Sequence, residues 1–244
     1  VGPRISASAD GVSASFSTMP TNPCAVTFAV VNSNKVTSKE ANSNSDEAAS
    51  LVPNLWDVML KDLADREFSP TAPDFILHLG AQVDVRTAYD ESRLLLERWR
   101  KANPSVRKPP SDVILSVKEL FRDAYRVSWG RVPNVRKVLS CAPSIMITGI
   151  SDVVGTIVRQ SQLEFDPEIA AVALQVAREY QAKLWDLDAE ERADDELEDI
   201  DLLSSVKKDN FVSPLGHFHR FGRVGLLCID ALTSNLFATA RNVA

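Results

Sequence analysis

Apolar residues along this chain follow two rhythms. Short unbroken runs stand at 25–34 (AVTFAVVNSN), 74–79 (DFILHL), 144–148 (SIMIT) and 222–229 (GRVGLLCI). Runs of that length, rich in branched residues, predict strands covered on both faces. Between them, apolar residues recur at three- and four-residue spacing, which predicts amphipathic helices. One covers 53–63 with Leu55, Trp56, Met59 and Leu60; another covers 88–101 with Leu95, Leu96 and Trp99 inward. A third covers 111–128 with Val113, Val117, Leu120, Phe121 and Tyr125. Asp166-Pro167-Glu168 opens a fourth, with a capping carboxylate, a proline at the first helical position and an acid at the positive end of the dipole. That helix carries Ile169, Val172, Ala173, Val176, Tyr180 and Leu184. The opening, 1–18, alternates loosely through Val12, Ala14 and Phe16 and predicts one half-buried strand, punctuated by Pro20 and Pro23. The polar stretch 36–50 reads as a loop. Buried strands alternating with helices predict an α/β layered domain, and no internal repeat is present.

Composition changes this picture little. A 45% hydrophobic, 25% charged chain of 244 residues is an ordinary globular sequence able to bury a core. A net charge of −6 gives no reason to expect a nucleic-acid partner. The charge is uneven, however. Residues 186–201 hold ten acidic residues against one arginine, so the remainder carries a small positive excess. Such a run reads as a solvated loop, with Asp186, Glu190, Glu191, Asp194, Asp195 and Glu196 as candidates for docking a basic partner. Cys24, Cys141 and Cys228 are odd in number and widely spaced, which fits reduced, intracellular thiols rather than a disulfide framework or zinc knuckle. No apolar run approaches the roughly 18 residues of a membrane span, and no charged-then-apolar leader opens the chain. A first residue of Val fits a processed precursor, an organellar one included, or a trimmed sequence.

Chemistry is harder to place. His78 follows a buried run and reads as a satisfied core histidine; Cys141 and Cys228 read as inert packing. Gly216-His217-Phe218-His219 sets two imidazoles on one side of an extended segment, a geometry open to a metal pair or to packing. No glycine-rich phosphate loop occurs.

Four segments, in order, resemble the PhoD-like branch of the metallophosphatases. PDFILHLGAQVD (73–84) is similar to that family's strand and LHLGDQ turn; VPNVRKVLSCAPSIMITGISDVVG (132–155) is similar to its segment ending in PSIMI and a DDHE-type cluster. AREYQAKLW (177–185) resembles its Tyr-Gln helix, and FHRFGRVGLLCIDALTSNLF (218–237) its strand leading to Asp-x-Arg. The resemblance spans about residues 25–237. It implies a metallophosphatase-like β-sandwich flanked by helices over 25–244, with 1–24 as an N-terminal strand or extension and 186–205 as an acidic loop. It also implies a further half-domain past the Asp-x-Arg strand: either the sequence is part of something longer, or the protein is shorter than the family and one edge of the sandwich calls for a covering partner chain.

Enzymes of this type hold cations with carboxylate, Asn and His ligands, and the cations activate a water against phosphate. Against that pattern, Asn32-Ser33-Asn34 replaces a Ser-Cys-Asn or Ser-Cys-Asp motif, and Ala81 replaces the aspartate of GDQ, with Gln82 kept. Gly149, Ile150 and Ser151 replace three of the four polar cluster residues, and Leu232 replaces the phosphate-facing arginine. The resemblance therefore implies an incomplete, non-catalytic relative acting as a structural or binding subunit, with no cofactor. The alternative is an active metal-dependent phosphomonoesterase or phosphodiesterase with a rebuilt ligand set drawn from Asp84, Asp152, His217, His219 and Asp230. A third reading is a phosphate- or small-molecule-binding module using the inherited cleft.

Overall fold

A computed structural model describes residues 4–9, 12–17, 25–32, 55–64, 72–106, 108–155, 166–182 and 216–230. The architecture is mixed α/β. Its strands are β1 (Arg4–Ala9), β2 (Val12–Ser17), β3 (Phe28–Val31), β4 (Phe75–His78), β5 (Ser144–Met146), β6 (Gly216–Phe221) and β7 (Val224–Ile229). Its helices are α1 (Leu55–Ala64), α2 (Arg86–Ala102), α3 (Ser111–Tyr125), α4 (Pro133–Cys141), α5 (Ser151–Val154) and α6 (Pro167–Ala182). Among the described residues no helix is long and apolar enough to cross a membrane.

The loosely alternating opening is two strands, not one. β1 and β2 pair antiparallel with Ala9 opposite Val12, so only two residues, Asp10-Gly11 in the sequence, separate them. Asp-Gly between strands is a strong hairpin signal, and the single-strand reading overlooked it.

Three of the four apolar runs meet in one parallel sheet of order β3-β4-β5, with Phe28 opposite Phe75, Val31 opposite His78 and His78 opposite Met146. β4 is central and all four of its residues are buried. Ile76 joins Val31, Trp56, Met59 and Leu63 of α1 and Val135 and Val138 of α4 on one face. Phe75, Leu77 and Ile145 pack against Phe221 and Cys228 of the β6–β7 hairpin on the other. Full burial of an aromatic such as Phe75 contributes about 1.5–3 kcal/mol, and its ring stacks between Phe28 at 5.2 Å and Phe221 at 4.9 Å.

Two strands differ from expectation. β3 was predicted to be covered on both faces, yet Phe28 and Val30 are exposed, because β3 is the edge and the hairpin covers the sheet at β4 and β5. The run 222–229 was predicted as a fourth buried strand; β7 instead pairs antiparallel with β6, and Val224, Leu227 and Ile229 are exposed. A continuous apolar run reports hydrophobicity without reporting how many faces find a cover. The strand predicted over 144–148 ends at Met146.

A second core lies among the helices. α6 is apolar nearly all round over Ile169–Ala177 and sits against α2, α3 and α5. Its start matches the expected cap: Asp166 Oδ1 accepts from the Glu168 and Ile169 amides at 3.0 and 3.3 Å. Arg100 of α2 then reaches Asp166 and Glu168 at 3.0 and 2.9 Å. α3 stops at Tyr125 rather than Ser128, and the chain continues as a wide π-helical turn, Arg126–Arg131. That turn sets Trp129 edge-on to Tyr125 at 5.0 Å, while Tyr180 stacks on Tyr125 at 4.8 Å. Trp129 also packs on the α1–α4 cluster and so joins the two cores.

Candidate functional site

The loops leaving the carboxyl ends of β4 and β5 hold the segments in which chemistry is expected, since ligands of parallel α/β sheets bind outside those strand ends. Gly80 and Ala81 follow β4 in successive left-handed conformations, φ 91° and 58°. Ala81 is the only non-glycine residue with positive φ among the described residues. Gly149, after β5, lies against both. A Cβ built on Gly149 would come within 2.7 Å of the Ala81 nitrogen and 2.9 Å of the Gly80 Cα. The two loops are thus in backbone contact, and both glycines are required by that approach.

Asp152, on α5, fastens them. Its carboxylate is fully buried; Oδ1 accepts from the Val83 amide at 2.8 Å, and Oδ2 accepts from the Gly149 and Ala81 amides at 2.8 and 3.1 Å. Burial pushes its pKa up to about 7, against the downward pull of these amides and that of Gln82. Gln82 adds a second link, its Nε2 donating to the Ile147 carbonyl at 3.0 Å. Behind the loops, Thr148 Oγ1 donates to Gln181 Oε1 at 2.8 Å, and Gln181 Nε2 donates to the Tyr125 hydroxyl at 3.3 Å. Burial, then the Asp152 charge, raises the Tyr125 pKa. His78 is fully buried, stacks on Trp56 and shares a hydrogen bond with Ser144 at 3.3 Å; burial lowers its pKa to about 3, so the ring is neutral.

Among the described residues the sequence-derived candidates do not assemble into one site. Ala81, Gly149, Ile150, Ser151 and Asp152 come together at the strand ends. Asp84 lies just beyond, half-buried, where its Oδ1 accepts the Arg86 amide at 3.1 Å at the start of α2. His219 lies in β6, where it stacks near Phe221, and Asp230 directly follows β7. His217 occupies a β6 position opposite Cys228. Among the described residues no group of three or more His, Cys, Asp or Glu residues is arranged to hold a metal ion. Leu232 and the acidic candidates Asp186, Glu190, Glu191, Asp194, Asp195 and Glu196 lie outside the described residues.

Sequence reasoning treated Gly149 as a missing ligand and overlooked its role as a contact point. It also overlooked Asp152 as an acceptor of backbone amides from 69 and 71 residues earlier in the chain. The available signal was a glycine just past the end of each of two apolar runs, Gly80 and Gly149. Comparison with protein-family models, with curated proteins and with solved structures returned no match.

Proposed function

We propose that this chain is a non-catalytic relative of the PhoD-like metallophosphatases that serves as a structural or binding subunit. The observation carrying this reading is the contact at Gly149. The resemblance puts a carboxylate-bearing cluster from that position onward, yet any Cβ there would collide with the Gly80–Ala81 backbone. A side chain at that position would meet main chain, which supports the reading that no ligand stands there. The one carboxylate left in the segment, Asp152, accepts three backbone amides, which occupy three of its roughly four acceptor positions. The left-handed Ala81 adds support: Asp and Asn tolerate that conformation better than Ala does, and the resemblance expects Asp there.

The test is turnover of p-nitrophenyl phosphate and bis(p-nitrophenyl) phosphate by the purified chain with Mg²⁺, Mn²⁺, Ca²⁺, Fe³⁺ and Zn²⁺, alongside elemental analysis. The expected result is no turnover above the uncatalysed rate and no stoichiometric metal. Stoichiometric metal, with turnover that Asp84→Ala abolishes in a protein still folded by circular dichroism, overturns the reading.

A further inference from the structure

Two loops from distant parts of the chain turn their amides onto one point. Gly80 and Ala81 follow β4 with φ 91° and 58°. Successive residues in such turn conformations direct neighbouring N–H groups to one side, and a backbone nest of that kind holds an anion. A further donor comes from the loop after β5, where Gly149 lacks the side chain that would collide with the Gly80–Ala81 backbone. The Ala81, Val83 and Gly149 amides meet at the Asp152 carboxylate, at 3.1, 2.8 and 2.8 Å. These amides and that of Gln82 all favour its ionised form. They stand beyond the carboxyl ends of β4 and β5, where parallel sheets take their ligands.

The occupant of this place differs from a ligand in being tethered. An ordinary capping carboxylate accepts amides two or three residues along the chain. Asp152 instead collects donors from 69 and 71 residues away, besides the Gly149 amide. The Ser151 hydroxyl, one residue before it, is buried with no partner among the described residues, an unused donor in the same segment. The amide donors are neutral, so a single negative charge suits them better than two. Their geometry suits a planar pair of oxygens, since Oδ1 takes one amide and Oδ2 takes two.

We propose that the Ala81, Gln82, Val83 and Gly149 amides form a carboxylate-binding cradle whose built-in occupant, the Asp152 side chain, excludes small free carboxylates from it. This goes beyond the pseudophosphatase reading and does not rest on it: turnover and bound metal test that reading, whereas anion binding tests this one. Asp152→Ala leaves the backbone donors in place and clears a space the size of formate. Sodium formate should raise the Tm of this variant saturably, by about 3–6 °C at about a tenfold excess over its Kd. The Ala81, Val83 and Gly149 amide resonances should shift with the same Kd. Wild-type protein, its cradle filled, should show neither change. Asp152→Ser carries the same titration if Asp152→Ala does not fold, and if neither folds alone, formate must restore a cooperative unfolding transition. An equal response to sodium chloride at matched ionic strength or to neutral formamide, an equal response in the wild type, or no response in either variant would each overturn the proposal.

Discussion

Adding a single methyl group at Gly149 probes the contact on which the functional reading rests. The new Cβ would sit 2.7 Å from the Ala81 nitrogen and 2.9 Å from the Gly80 Cα, against an ordinary contact of 3.4–4 Å. Both obstacles are backbone, so no side chain can rotate away, and the loops after β4 and β5 must part by more than half an ångström. Parting lengthens the Gly149 and Ala81 hydrogen bonds to Asp152, now 2.8 and 3.1 Å. Overpacking costs about 1–3 kcal/mol, and a weakened hydrogen bond to a buried charged group about 1.5–3 kcal/mol more. Gly149→Ala should therefore lose about 3–5 kcal/mol in urea unfolding, which for a chain of this size is a fall in Tm of about 10 °C. Hydrogen exchange at the Ala81 and Val83 amides should accelerate in step. Gly130→Ala is the control: a Cβ there meets nothing within 4 Å, so stability should move by no more than about 0.5 kcal/mol. Gly149→Asp should be worse than Gly149→Ala, because it sets a second carboxylate beside buried Asp152. If Gly149→Ala melts with Gly130→Ala, the loops have room to spare and the closed-site argument fails.

Two further outcomes follow from the same loops. Ala81→Gly removes a left-handed alanine and should raise stability by about 0.5–1 kcal/mol in denaturant unfolding, part of the strain relief being offset by glycine's freedom in the unfolded chain. The two buried titrating groups should oppose one another in pH. Asp152, raised from 3.8 to about 7, contributes stability that is full below the unfolded value and lost as pH rises through about 7. His78, lowered from 6.5 to about 3, contributes stability that is full above 6.5 and lost as pH falls toward 3. Between about pH 4 and pH 6.5 the slopes have opposite sign, each up to about 1.4 kcal/mol per pH unit. Asp152→Asn should therefore make the urea midpoint fall more steeply on acidification, and His78→Gln should make it rise; identical profiles in both variants would contradict the opposed burial of the pair.

What the sequence reveals of this fold divides along a physical line. A local pattern reports how much apolar surface a segment must hide, and that part was legible: DFILHL and SIMIT lie in the central and adjacent strands, and Asp166-Pro167-Glu168 starts α6. The same pattern cannot report what does the hiding. GRVGLLCI is as apolar as either strand, yet it lies in a ribbon with one face on the sheet and the other open, because it pairs antiparallel with β6 in a hairpin instead of joining the parallel sheet. At the candidate site the limit is sharper. A missing carboxylate at position 149 and a required glycine at position 149 are the same letter in the sequence. The backbone of Gly80 and Ala81, nearly seventy residues earlier, decides between them, and Asp152 holds that decision by accepting amides from both loops. A side chain introduced at 149 alone therefore meets main chain while Asp152 keeps the loops together.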